Sequence, residues 1–80
     1  MKVAVLLFAS LRDELGPQVS VEVDEPATVA SLRRALEAAH PAIARFGDRA
    51  KAAVNETWAR ETDAVRAGDT VARLPPVAGG

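Results

Sequence analysis

Cysteine is absent from these 80 residues, and so is tyrosine. Without cysteine there are no disulfides, no thiolate metal sites and no thiol nucleophile. Histidine occurs once, at His40. A metal role for it would need companions that the sequence does not show, so no metal and no bound cofactor is expected. Side-chain catalysis would have to run on carboxylates, lysines or hydroxyls. Charge of one sign is not in excess: ten Lys and Arg stand against eleven Asp and Glu, for a net charge of −1. That balance, without a run of like charges, gives no electrostatic support for a nucleic-acid or anionic-membrane partner. The longest apolar run, residues 3–9, falls well short of the roughly 20 residues that span a bilayer. It also lacks the flanks of a signal peptide, so a cytoplasmic location is expected.

What remains is an ordinary globular composition, 49% hydrophobic and 26% charged, in a chain long enough for one small domain. A domain of this size buries only about 60–65% of the surface its unfolded chain exposes, which leaves little room for an enclosed active site. Residues 2–8 form an apolar run whose two faces are both hydrophobic, as in a central strand. A short helix is expected over 10–15, capped by Ser10 with Asp13 three residues on, and ended by Gly16 and Pro17. In 18–23, Val19, Val21 and Val23 alternate with polar residues, the pattern of a half-exposed strand.

A turn at 24–27 precedes the main helix, 29–39, with Thr28 as N-cap and Val29, Leu32, Leu36 and Ala39 as its apolar stripe. Arg33, Arg34 and Glu37 fall on the solvent side, and Pro41 after His40 closes the helix. An irregular connection, 41–49, leads to short strands at 51–55, 58–60 and 70–74, with turns at Asn55-Glu56 and at 67–69. This order predicts an α+β fold of the β-grasp type. It has a mixed sheet of about five strands, one main helix on one face and a short helix after the first strand. Residues 1–74 would form the domain and 75–80 an extended, flexible tail.

The tail reads Pro75-Pro76-Val77-Ala78-Gly79-Gly80. Glycine adds nothing to a core and loses the most conformational entropy on ordering, so a bare Gly-Gly end is either incidental or the working end. The second reading makes the Gly80 carboxylate the reactive group. An α-carboxylate has a pKa of about 3.3–3.7 and is ionised at neutral pH. It is then a poor electrophile until it is activated. Glycines allow entry to a narrow channel, prolines hold an extended path, and six such residues reach roughly 18 Å at about 3.1 Å each.

Several stretches together resemble the small, sulfur-carrying subunits of molybdopterin synthase, the MoaD type of the ubiquitin-like ThiS–MoaD superfamily. They are Leu7-Phe8-Ala9 with Arg12, Thr28-Val29 with Leu32 and Leu36, Ala53-Val54-Asn55, Gly68-Asp69 with Val71, and the tail. The resemblance implies a protein that is not an enzyme alone but a subunit and sulfur-donating co-substrate. An ATP-using activating enzyme of the MoeB type adenylates Gly80, and a sulfur donor converts it to a thiocarboxylate. The tail, with Gly79, then enters a large subunit of the MoaE type. There sulfur passes to precursor Z, a cyclic pyranopterin monophosphate, in molybdenum cofactor synthesis. A heterotetramer is the usual assembly.

The resemblance also aligns Phe8, Trp58 and Leu74 with apolar partner contacts. Core packing is the commoner fate of such side chains, but a single helix covers only one face of a sheet, and Phe8 and Leu74 alternate away from Val5, Leu7 and Val71. An interaction patch is therefore expected, with Arg12, Pro75, Pro76, Val77 and Ala78 completing it. Arg73 departs from the family, which usually has an apolar residue there. Its stem would pack with its head in solvent, or it would pair with a partner carboxylate. Asp13-Glu14 and Asp24-Glu25 are neighbours pointing to different faces, and are read as solvated or capping carboxylates. Two other functions share the same activation chemistry. One is a sulfur carrier for cysteine or thiamine synthesis, and the other is a ubiquitin-like modifier that joins Gly80 to lysines.

Overall fold

The computed structural model describes residues 1–75, without the side chains at 47 and 48. The expected tail residues Pro76, Val77, Ala78, Gly79 and Gly80 lie outside the described residues. Seven strands and three helices follow in order: β1 (Lys2–Leu7), α1 (Ala9–Leu15), β2 (Gln18–Glu22), β3 (Ala27–Thr28), α2 (Val29–Ala39), a 3₁₀ helix (Pro41–Arg49), β4 (Lys51–Val54), β5 (Thr57–Ala59), β6 (Ala64–Val65) and β7 (Val71–Leu74). The main sheet runs β2-β1-β7-β4-β5. Its central pair, β1 and β7, is parallel, and the other neighbours are antiparallel. This is the mixed five-stranded β-grasp arrangement, with β1 inside the sheet as its two-sided apolar pattern predicts and the half-exposed β2 at an edge.

Alternation sets the layers. Val3, Val5 and Leu7 of β1 are buried with Val21, Val23, Ala52 and Val71 against Leu32 and Leu36 of α2 and Leu11 of α1. Leu36 is 1% exposed, so Leu36→Ala should cost about 2–5 kcal/mol of unfolding free energy by transfer and cavity effects, measurable by urea denaturation. The N-terminus of α2 forms as the sequence predicts. Thr28 and Ser31 make a reciprocal capping box, with Ser31 N–H donating to Thr28 Oγ1 at 3.2 Å and Thr28 N–H donating to Ser31 Oγ at 2.9 Å.

Four local expectations are corrected. Ser10 does not cap α1; Phe8 takes the N-cap position without a side-chain bond, and Ala9 begins the helix at φ 50°. Ala39 is exposed, since α2 ends there and His40 leaves the stripe. Residues 41–49 form a 3₁₀ helix rather than an irregular link, with Ile43 in the core. Two short strands, β3 and β6, pair with each other beside α2. There the 61–63 loop supplies acceptors for orphan helix donors: Val29 N–H reaches Asp63 O and Ala30 N–H reaches Glu61 O, each at 2.9 Å.

Candidate functional site

Trp58 on β5 stands opposite Ala53 on β4, Ala53 opposite Ala72 on β7, Ala72 beside Leu6 on β1, and Leu6 opposite Gln18 on β2. Cross-strand partners share a face, so these residues make a continuous row across the sheet on the side away from the helices. In the next row Lys51 is opposite Leu74. The β1–β7 register, continued one step past Leu7 and Arg73, brings Phe8 level with Leu74.

Neither aromatic is in the core: Phe8 is 42% exposed and Trp58 65%. Leu6, Ala53, Ala72 and Leu74 are half-buried. Small alanines between Trp58 and Leu6 leave a low floor flanked by larger apolar groups. The Lys51 ammonium lies 5.7 Å from the centre of the Trp58 ring, within cation–π range. The patch extends to Leu74 and half-buried Pro75, the last described residue before the tail. Alternation along β1 sets Leu6 on the face of Phe8, and the same signal in β4 and β7 finds Ala53 and Ala72. Arg12 is exposed on α1. Of the expected contacts, the structure gathers Phe8, Trp58 and Leu74 on one face, with Pro75 at its end.

The turns that aim this face are fixed by two aspartates and one asparagine. Asn55 and Glu56 carry φ of 52° and 69°, the left-handed conformation an asparagine tolerates in a hairpin turn. Asn55 also bridges to the turn before β7. Its Nδ2 donates to Asp69 Oδ1 at 3.0 Å, and its Oδ1 accepts from Thr70 N–H at 2.9 Å. Asp69 Oδ2 accepts from Arg66 N–H at 2.8 Å. That backbone bond, then the Asn55 amide, holds the Asp69 carboxyl below its ordinary range. Asp63 is lowered similarly, first by the Arg60 N–H. A carboxyl depressed in the folded state contributes stability above its unfolded pKa of about 3.9, and that contribution is lost as pH falls through the folded value. Asp69→Asn should therefore flatten the acid limb of the melting temperature below about pH 4, read by thermal scans at stepped pH.

On the opposite face, Arg73 corrects the expectation of a head in solvent. Its β7 position pairs with Leu7 and Ala52, both core residues, so the whole residue is turned under the helices and is 5% exposed. Burial lowers its pKa, while Glu61 and Glu37 favour its charge and Arg33 opposes it. Arg33 itself binds Glu61 Oε1 through Nε at 2.8 Å and Glu37 Oε1 through Nη1 at 3.2 Å. This pairing is why Arg33 and Glu37, expected in solvent, have side chains only 17% and 19% exposed. No group of three metal-ligating side chains occurs among the described residues, and no helix among them is long and apolar enough to cross a membrane.

Comparison with known proteins gives a consistent set of relatives. The model of the ThiS family matches residues 5–80. The molybdopterin synthase sulfur carrier subunit of Chlamydomonas reinhardtii is 34% identical, over the full length of both chains. Small archaeal modifier protein 1 of Haloferax volcanii is 40% identical across 92% of this chain and 95% of its own. Its crystal structure superposes with a TM-score of 0.85 at 36% identity, covering all of both chains. A chain in the crystal structure of the Amycolatopsis orientalis BexX/CysO complex is 30% identical with a TM-score of 0.69, covering 98% of this chain and 99% of that one. The match over residues 5–80, together with the mixed five-stranded sheet, places this chain in the ThiS family of small β-grasp proteins.

Proposed function

We propose that this protein is a sulfur carrier whose Gly80 carboxylate is the reactive group, and that it serves as the small subunit of a molybdopterin synthase. The observation that carries the reading is the exposed apolar face, which runs from Trp58 to Phe8 and Leu74 and leads into Pro75. A partner seated there would receive the tail directly. Full-length similarity to a molybdopterin synthase sulfur carrier subunit supports the same reading.

In this account the Gly80 carboxylate attacks the α-phosphorus of ATP on a separate activating enzyme of the MoeB type and releases pyrophosphate. Hydrosulfide-level sulfur from a donor then attacks the acyl carbon, displaces AMP and leaves a thiocarboxylate. Phe8, Trp58 and Leu74 dock a large subunit of the MoaE type, Arg12 contacts it from the side, and residues 75–80 carry the sulfur to precursor Z. The domain supplies binding and aim, while its partners supply the chemistry.

The test is co-purification and turnover. The sulfurated chain mixed with a large synthase subunit and precursor Z should yield the dithiolene product, and no product from a fully sulfurated chain contradicts the pathway. A second reading follows from the similarity to small archaeal modifier protein 1, in which activated Gly80 joins the lysines of other proteins. Isopeptide conjugates formed with ATP and the activating enzyme would favour it.

A further inference from the structure

We infer that Lys51 is a self-acylation site: when Gly80 is activated and no sulfur intercepts it, the Lys51 amine takes the acyl group and closes the tail into a lactam. The inference rests on the reading of Gly80 as the activated carboxylate and adds where its acyl group goes when sulfur is short. Few groups in the chain compete for that acyl carbon. Cysteine is absent, and the lysines are Lys2 and Lys51. The other basic side chains, His40 aside, are arginines, whose guanidinium stays protonated and does not attack.

Position separates the amines. Lys51 stands opposite Leu74, the last residue of β7, so its side chain shares the open face with the root of the tail. Lys51 is exposed, and its ammonium stands 5.7 Å from the centre of the Trp58 ring, beside the route out of β7. Lys2 begins β1, whose register places it about 20 Å before the level of Leu74 at about 3.3 Å per residue. The Met1 amine precedes it and is engaged, donating to Val23 O at 2.7 Å and lying 3.7 Å from Glu22 Oε2. An extended Pro75-Pro76 spans about 6 Å, and residues 77–80 span up to about 13 Å, with glycines free to take turn angles that a Cβ forbids. Paired strands are only about 5 Å apart, so the chain is long enough to leave Leu74 and return to Lys51, whereas Lys2 lies at the limit of its reach. Held on one chain, amine and acyl group meet at an effective concentration of about millimolar.

In the step itself the Lys51 ammonium gives one proton to solvent and the free amine adds to the acyl carbon of the Gly80 adenylate. The C–N bond forms, the bond from that carbon to the AMP oxygen breaks, AMP leaves, and the nitrogen loses a second proton to solvent. The product has no Gly80 carboxylate and no charge at Lys51. It accepts no sulfur, so activation that outruns sulfur supply withdraws the carrier from the cycle.

Two arms test the inference on the full chain. In the first, the chain is prepared with a thioester at Gly80 by thiolysis of an intein fusion, incubated at neutral pH and weighed intact. The expected product is lighter than the free acid by one water, forms at a rate independent of protein concentration, and fragments to show a Gly80–Lys51 bond. It should be lost in Lys51→Arg and kept in Lys2→Arg. Hydrolysis alone, a bond at another residue, copies joined to one another, or a product that survives Lys51→Arg overturns the inference. In the second arm, ATP and the activating enzyme are supplied without a sulfur donor. The same product with release of AMP is expected, and pyrophosphate release without it overturns the withdrawal of the carrier. If no pyrophosphate is released, the activation reading of Gly80 fails instead, and the thioester arm still decides Lys51.

Discussion

Deletion of Gly80 should abolish sulfur loading and all sulfur transfer while leaving the unfolding midpoint unchanged. The large functional loss follows from chemistry. If the terminal carboxylate of the Gly-Gly pair is the only group activated, a chain ending at Gly79 presents its carboxylate one residue short of the activating enzyme's nucleotide. The null structural effect follows from packing. Among the described residues the buried hydrophobic cluster draws on every element except β5 and includes none beyond Val71, and glycine contributes no side chain to a core. Gly79→Ala should also block transfer, because a Cβ limits both the width of the tail and its backbone angles. Intact mass spectrometry and thermal unfolding on the same samples separate the two effects. A truncated chain that still accepts sulfur would remove the tail from the account.

The second large effect is expected at Trp58. Trp58→Ala should weaken binding to the large subunit by about 2 kcal/mol or more, a factor of about 30, as for a central aromatic hot spot. Stability should change by no more than about 0.5 kcal/mol, because the side chain lies outside the core and leaves no cavity. The indole is 65% exposed over a floor of alanines, so the free protein gains little from it, whereas burial under a partner removes most of its surface from water. Calorimetric titration against the large subunit gives the first number and urea denaturation the second. Binding that survives the substitution would put the interface elsewhere.

Much of this was legible in the chain. Val19, Val21 and Val23 alternate as a half-exposed strand does, the two-sided apolar run of β1 announces a central one, and Thr28 with the stripe of Leu32 and Leu36 marks the main helix. The alternation that buries Val5 and Leu7 also turned Phe8 and Leu74 outward. What escaped has physical reasons. Ala27-Thr28 and Ala64-Val65 are two-residue strands, too short for any period, and they exist because the loop after β5 caps α2. The 3₁₀ helix hides behind Pro41 and Gly47, which read as breakers. Arg73 alternates with Val71 and so belongs inside. Its charge argued otherwise, and the counter-argument lies in Glu61 and Glu37, brought near only by the folded chain.

The central claim is that the reactive atom is the terminal carboxylate of Gly80. It is tested most directly by incubating the protein with ATP, an activating enzyme and a sulfur donor, then fragmenting it in a mass spectrometer. The account predicts a gain equal to sulfur replacing one oxygen, confined to fragments containing Gly80. A gain carried by any fragment without Gly80, or no gain alongside full ATP turnover, would contradict it.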